Sequence, residues 1–112
     1  MKRGDIFWHK CLNDNGSLQN GIRPVLILQN DIGNYYSTTT IVCPITSKIK
    51  KDIPTHVCLG CKFGLIKTSW LLCEQIFTVN KKDLYYYIGT IEDEEVLEEI
   101  EKAIKISLGL KG

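Results

Sequence analysis

The amino-acid sequence predicts a mainly β fold of the α+β class, with one helix at the C-terminus. Three observations carry that expectation. Short runs rich in β-branched and aromatic residues recur along most of the chain, each bounded by Gly, Pro, Asn or Asp. Val25 to Leu28 is a continuous apolar run, as a strand buried on both faces requires. Helical spacing emerges clearly only near the end, where Val96, Leu97, Ile100, Ala103, Ile104, Ser107 and Leu108 fall on one face.

Taken in order, Asp5 to Lys10 reads as a first strand. Cys11 to Asn20 is polar and turn-rich, and reads as a long mobile loop, a candidate lid that leads towards Arg23. The second strand is Val25 to Leu28. Pro24 can open it but, having no N–H, is not expected in the middle of a strand. Asn30, Asp31 and Gly33 supply turn chemistry, and Gly33 to Ser37 reads as a loop. Thr38 to Pro44 has strong strand character. Ile45-Thr46-Ser47 follows, then a basic stretch with Lys48, Lys50 and Lys51. Pro54 to Leu59 starts another strand, and Gly60 to Gly64 is a tight connection. Ser69 to Val79 reads as one strand with Glu74 and Gln75 set into an apolar run, a pattern that fits polar groups facing a cleft or an exposed edge. Lys82 to Tyr87 reads as a helical turn whose tyrosines suit amphipathic packing, or stacking on bases. The final helix has Thr90 and Asp93 at capping-box spacing, acids in its first turns, Lys102 and Lys105 near its end, and Gly109 to stop it.

At 112 residues there is room for one core, and we expect a single domain over residues 1–112. Hydrophobic residues make up 44% and charged residues 24%, an ordinary globular balance. No apolar run approaches the ~20 residues of a bilayer span, and the N-terminus is no signal peptide, so the expected setting is the cytoplasm, without a membrane partner. Five cysteines, an odd number without secretory context, argue against a disulfide framework. The net charge of +1 hides an asymmetry: residues 92–105 hold seven acids against two lysines, whereas residues 1–91 hold eleven basic residues against six acidic ones. A basic body suits an anionic partner such as nucleic acid, although ordinary surface charge explains it too.

Three sets of residues could carry chemistry. Arg23, between Gly21 and the fixed φ of Pro24, is aimed rather than floating, and its guanidinium suits phosphate; the plain alternative is a surface ion pair. Cys58-x-x-Cys61, with His56 and Cys73, has zinc-ligand chemistry, but the second knuckle is missing and buried cysteine is common. His9 and His56 titrate in a useful range, but nothing in their spacing brings them together, and two structural histidines is the better reading.

Five stretches together resemble the MazF/PemK family of toxin endoribonucleases: Arg3 to Ile6 (RGDI), Gly21 to Asp31 (GIRPVLILQND), Pro44 to Ser47 (PITS), Pro54 to Val57 (PTHV) and Cys73 to Ile76 (CEQI). The resemblance runs from Arg3 to about Leu108, and the G-x-R-P-V-x-x-x-Q-N-D run is its most specific part. It implies a small, strongly curved antiparallel sheet, close to an SH3-like barrel of the CcdB/PemK type, with a C-terminal helix. It also implies a homodimer, a cognate antitoxin protein, and single-stranded RNA as substrate, cut without metal or other cofactor to leave a 2′,3′-cyclic phosphate and a 5′-hydroxyl. By the same resemblance the catalytic residues are Arg23 and Thr46, and the RNA-binding positions are Ser47, Ile53, Pro54, Thr55, His56, Glu74 and Gln75. Cys58, Cys61 and Trp70 are not hallmarks of that family, and residues 60–68 align loosely.

The implied chemistry agrees with the residues. Attack by a neighbouring 2′-hydroxyl builds negative charge on phosphorus, which fixed donors stabilise best. Arg23 supplies a bidentate fork and Thr46 a further hydrogen bond. The competing reading is a non-catalytic, CcdB-like toxin that binds a protein such as DNA gyrase, since fold alone does not fix function. The Arg23–Thr46 pair favours the nuclease.

Overall fold

A computed structural model of the protein describes residues 1–12, 18–48 and 52–111. Its elements are β1 (Asp5–Leu12), β2 (Leu18–Ile27), α1 (Asp31–Tyr36), β3 (Thr39–Thr46), β4 (His56–Gly60), β5 (Ser69–Leu72), β6 (Phe77–Asn80), β7 (Leu84–Thr90) and α2 (Glu94–Leu108). The strands form one antiparallel sheet in the order β4-β5-β3-β2-β1-β7, with β6 beside the first half of β3. No helix among the described residues is long and apolar enough to cross a membrane.

Strand alternation divides the side chains between two faces. One face carries Ile6, Leu26, Cys43, Ile45, Leu71 and Val57, which meet Ile100 and Ala103 of α2 in the main core. Burial of each large side chain there contributes about 1.5–3 kcal/mol. The opposite face carries a smaller cluster of Val25, Ile27, Val42 and Val79, with Phe77 and Leu84 against it. Helix α2 is stopped as expected by Gly109, in the left-handed region at φ 68°.

The sheet is curled. The connection after β4 runs against β7 so closely that a Cβ on Gly64 would fall on the carbonyl of Ile88, and one on Gly89 on the carbonyl of Phe63. Gly64 also sits at φ 87°. Two edges distant in the strand order are thus brought backbone to backbone, which only glycine permits.

Several expectations need correction. Pro24 lies inside β2 rather than at its start: it pairs with Trp8 of β1, and the ladder to β3 begins only at Val25, so on that side its missing N–H leaves no ladder bond unmade. Likewise β3 runs past Pro44 to Thr46, and Pro44 sits where β3 exchanges β6 for β5 as its neighbour. Ser69 to Val79 is two strands, because Cys73 to Ile76 turn out of the sheet around Glu74 and Gln75. Lys82 to Tyr87 is not helical beyond one 3-10 turn at Lys81–Asp83; Tyr85 and Tyr87 pair with Trp8 and Phe7 on β1, and the Phe7 and Tyr87 rings meet edge to face at 5.7 Å. The cap of α2 is Asp93, which accepts from the N–H groups of Glu95 (3.0 Å) and Val96 (3.3 Å), while the Thr90 hydroxyl donates to Asp5 (2.8 Å). Of the loop expected over 11–20, residues 11–12 and 18–20 belong to strands, and 13–17, with the candidate lid, lie outside the described residues, as do Lys50 and Lys51.

The segment read as a loop at Gly33 to Ser37 is largely helix α1. A helix this short cannot hold itself. Its support is tertiary: Asn30 caps it by accepting from Gly33 N–H (2.8 Å), and the Lys81 ammonium donates to the carbonyls of Asn34 and Ser37. Buried Asn34 donates to the Gln29 carbonyl (2.9 Å) and accepts from Gln29 Nε2 (3.1 Å) and the Thr40 hydroxyl (2.7 Å). Asp31 accepts from the Arg3 N–H (2.7 Å), and Arg3 Nε donates to the Leu28 carbonyl (3.0 Å). The RGDI and QND stretches are therefore one structural corner.

Candidate active site on the sheet face away from α2

Arg23 pairs with His9 across the β1–β2 ladder, and directly paired residues project from one face. The β2–β3 ladder pairs Val25 with Pro44; carried two residues further, that register sets Arg23 opposite Thr46, on the face of the Val25 cluster. The paired ladder stops at Val25, so Arg23 and Thr46 stand just beyond its end. Thr46 in turn pairs with Trp70, and Trp70 with Cys58. The pair His9–Arg23 and the row Thr46–Trp70–Cys58 are thus lined up by extending that register.

Arg23 is half-buried, and no carboxylate among the described residues pairs with it. The Thr46 oxygen accepts the Lys48 N–H (3.1 Å), which leaves its own proton to donate. Beside it, Ser47 is exposed at the end of β3.

The remaining expected positions gather around β4 and the turn after β5. His56 Nε2 lies 3.0 Å from Glu74 Oε2, the Cys73 N–H donates to the Thr55 carbonyl (2.9 Å), and the His56 N–H donates to Ile53 (3.0 Å). Pro54 and Gln75 are exposed beside them. Partial burial pushes the Glu74 carboxyl up, but hydrogen bonds from its own backbone, His56 and Thr55 outweigh this and hold it below the usual carboxylate range. His56 pairs with Leu72, one step along the same face from Trp70 and Cys58.

Other candidates separate. Cys73 is buried and shares a hydrogen bond with Cys43, which together with burial keeps the Cys43 thiol protonated. Cys58 and Cys61 are exposed, and Cys61 Sγ lies 3.3 Å from the Thr68 hydroxyl. Among the described residues no three His, Cys, Asp or Glu side chains converge as a metal site. His9 and His56 stand on β1 and β4 with three strands between them, so neither is the other's cross-strand neighbour. They are no acid–base pair.

With this geometry in place, comparison with known proteins gives a family. Residues 2–108 match the PemK-like, MazF-like toxins of type II toxin–antitoxin systems. The chain belongs to this family. Endoribonuclease EndoA of Bacillus subtilis is 44% identical, over 98% of this chain and 96% of that protein. Endoribonuclease MazF of Staphylococcus saprophyticus is 46% identical, over 98% of this chain and 92% of that protein. The solved structure of an endoribonuclease in complex with its cognate antitoxin from a mycobacterial species superposes with a TM-score of 0.83, at 25% identity, covering all of this chain and 98% of that one. From the sequence, His9 is weighed only as a partner for His56 and Trp70 only as a departure from the family pattern; the sheet sets them beside Arg23 and Thr46 instead. Their alternation along β5 and β1 is visible in the sequence, but which residues they face depends on strand order.

Proposed function

We propose that this protein is the toxin of a type II toxin–antitoxin module, a sequence-specific endoribonuclease acting on single-stranded RNA in the cytoplasm, where its substrate is. The observation that carries the reading is the placement of Arg23 and Thr46 on one face, just beyond the end of the β2–β3 ladder. The relatives named above are endoribonucleases, which favours RNA cleavage over gyrase binding.

In this mechanism the ribose 2′-oxygen attacks the adjacent phosphorus, and the 5′-oxygen leaves with a proton taken from Arg23 or from water. The products are a 2′,3′-cyclic phosphate and a 5′-hydroxyl. Charge grows on the phosphoryl oxygens, and a guanidinium fork with a hydroxyl donor stabilises it without reorganisation. The His56–Glu74 pair, or a water, takes the 2′-hydroxyl proton. Ser47, Ile53, Pro54, Thr55, His56, Glu74 and Gln75 line the path of the strand. The basic body suits an acidic, partly disordered antitoxin tail that folds onto the same groove and competes with RNA. A homodimer would place two such grooves side by side.

Digestion of a long RNA by the purified protein, with both new ends identified chemically, tests the reading. Cyclic phosphate and 5′-hydroxyl ends at a recurrent short motif are expected. Intact RNA, with tight binding to a protein target instead, would reject it.

A further inference from the structure

Strand β5 places Ser69 and Leu71 towards the main core, and Trp70 and Leu72 on the site face. Leu72 is buried, but Trp70 is only half-buried. It belongs to neither hydrophobic cluster, and none of the ring–ring contacts among the described residues includes it. Its cross-strand neighbours are Thr46 on β3 and Cys58 on β4, both small, with Cβ atoms about 4.5–5.5 Å away at such pairings. Neither is large enough to cover an indole by itself, and the ring stays partly exposed. A large flat apolar ring therefore stands in the middle of the sheet, beside the hydroxyl proposed to hold the scissile phosphate. Ordinary core packing explains Leu71 but not this.

We infer that Trp70 is the stacking platform for an RNA base next to the scissile phosphate, and so a residue that sets substrate affinity and flanking-base preference. The inference rests on the endoribonuclease reading. The physics is general: every base has a π-face, and aromatic platforms hold single strands by stacking. A base held on Trp70 is tethered to a phosphate at Thr46, across one strand-to-strand step, which fixes the ribose for in-line attack. Purines, with the larger face, should be preferred at this position.

Two tryptophans are present, so Trp8→Phe leaves Trp70 as the sole indole reporter. That variant is titrated with short 2′-O-methyl oligoadenylate and oligouridylate, which cannot be cut by 2′-oxygen attack. Quenching of Trp70 and loss of its access to acrylamide are expected, more strongly with oligoadenylate. In steady-state cleavage, Trp70→Ala should raise KM about tenfold, with a smaller effect on kcat, and relax the mapped flanking base. Trp70→Phe should recover most of the loss and Trp70→Leu little, which separates stacking from packing. Should Trp70→Ala not fold, the Phe and Leu variants and the quenching still decide. A protein that cuts RNA yet shows no quenching, or a Trp70→Leu variant with unchanged KM, overturns the platform while the nuclease reading stands. Quenching by an acidic peptide but not by oligonucleotide also overturns it and gives the indole to a protein partner. Quenching without any RNA cleavage would instead sink the nuclease reading and keep the base contact.

Discussion

Arg23 faces His9 directly across the β1–β2 ladder, so a permanent cation and a buried imidazole project side by side. Burial lowers the His9 pKa from its ordinary 6.5, against an opposing pull from Asp83. A neutral His9 adds no second positive charge beside the guanidinium, and its ring packs edge to face on Phe77 at 5.8 Å.

This makes stability depend on pH. Because the folded pKa lies below the unfolded one, the unfolded chain binds the proton first, and stability falls as pH drops below about 6.5 towards the folded pKa. The melting temperature of wild type should fall between about pH 7.5 and 5.5. That of the His9→Gln variant should fall less over the same range. Parallel pH profiles for the two proteins would show that His9 is not the group responsible.

Arg23→Ala should cost about 10²–10³ in kcat, and Thr46→Ala less, because only the arginine removes a full charge as well as donors. Neither should unfold the protein, since both stand at strand positions outside the main core. Replacing the ribose 5′ to the cut by deoxyribose should abolish cleavage but leave binding nearly intact, as phosphate contacts dominate affinity. Cleavage of the deoxy substrate at the same bond would mean that water or a protein group is the nucleophile.

Cleavage should survive EDTA, because in the proposed mechanism Arg23 and Thr46 supply the charge stabilisation. Activity lost on chelation and restored by zinc would return Cys58 and Cys61 to the mechanism.

Gly89→Ala should destabilise by about 2 kcal/mol or more, because its Cβ would strike the Phe63 backbone rather than a yielding side chain. Urea unfolding measures this. Gly21→Ala is the control: open space surrounds it, and only its φ of 74° resists, so its cost should be nearer 1 kcal/mol. Equal costs at both sites would refute the close approach of the connection after β4 to β7.

Sedimentation should find a dimer at micromolar concentration. A fully active monomer there would remove the second groove from the mechanism.

By itself, the sequence determined whatever depends on near neighbours. The spacing of Val96, Leu97, Ile100 and Ala103 set the face of α2, and Gly109 set its end. The Val25 to Leu28 run gave a buried strand, and the family motifs pointed to Arg23 and Thr46. Tertiary structure decided what depends on partners distant in the chain. Pro24 lies within β2, paired with Trp8 of β1, and the ladder to β3 starts one residue later. Helix α1 was beyond reach because its hydrogen-bond partners, Gln29 and Thr40 on one side and Lys81 on the other, are assembled only by the folded sheet. The same holds for the site. A strand's alternation says which residues share a face, but not which strand lies beside it; only the order β4-β5-β3-β2-β1 sets Trp70 next to Thr46 and His9 next to Arg23, and keeps His9 away from His56.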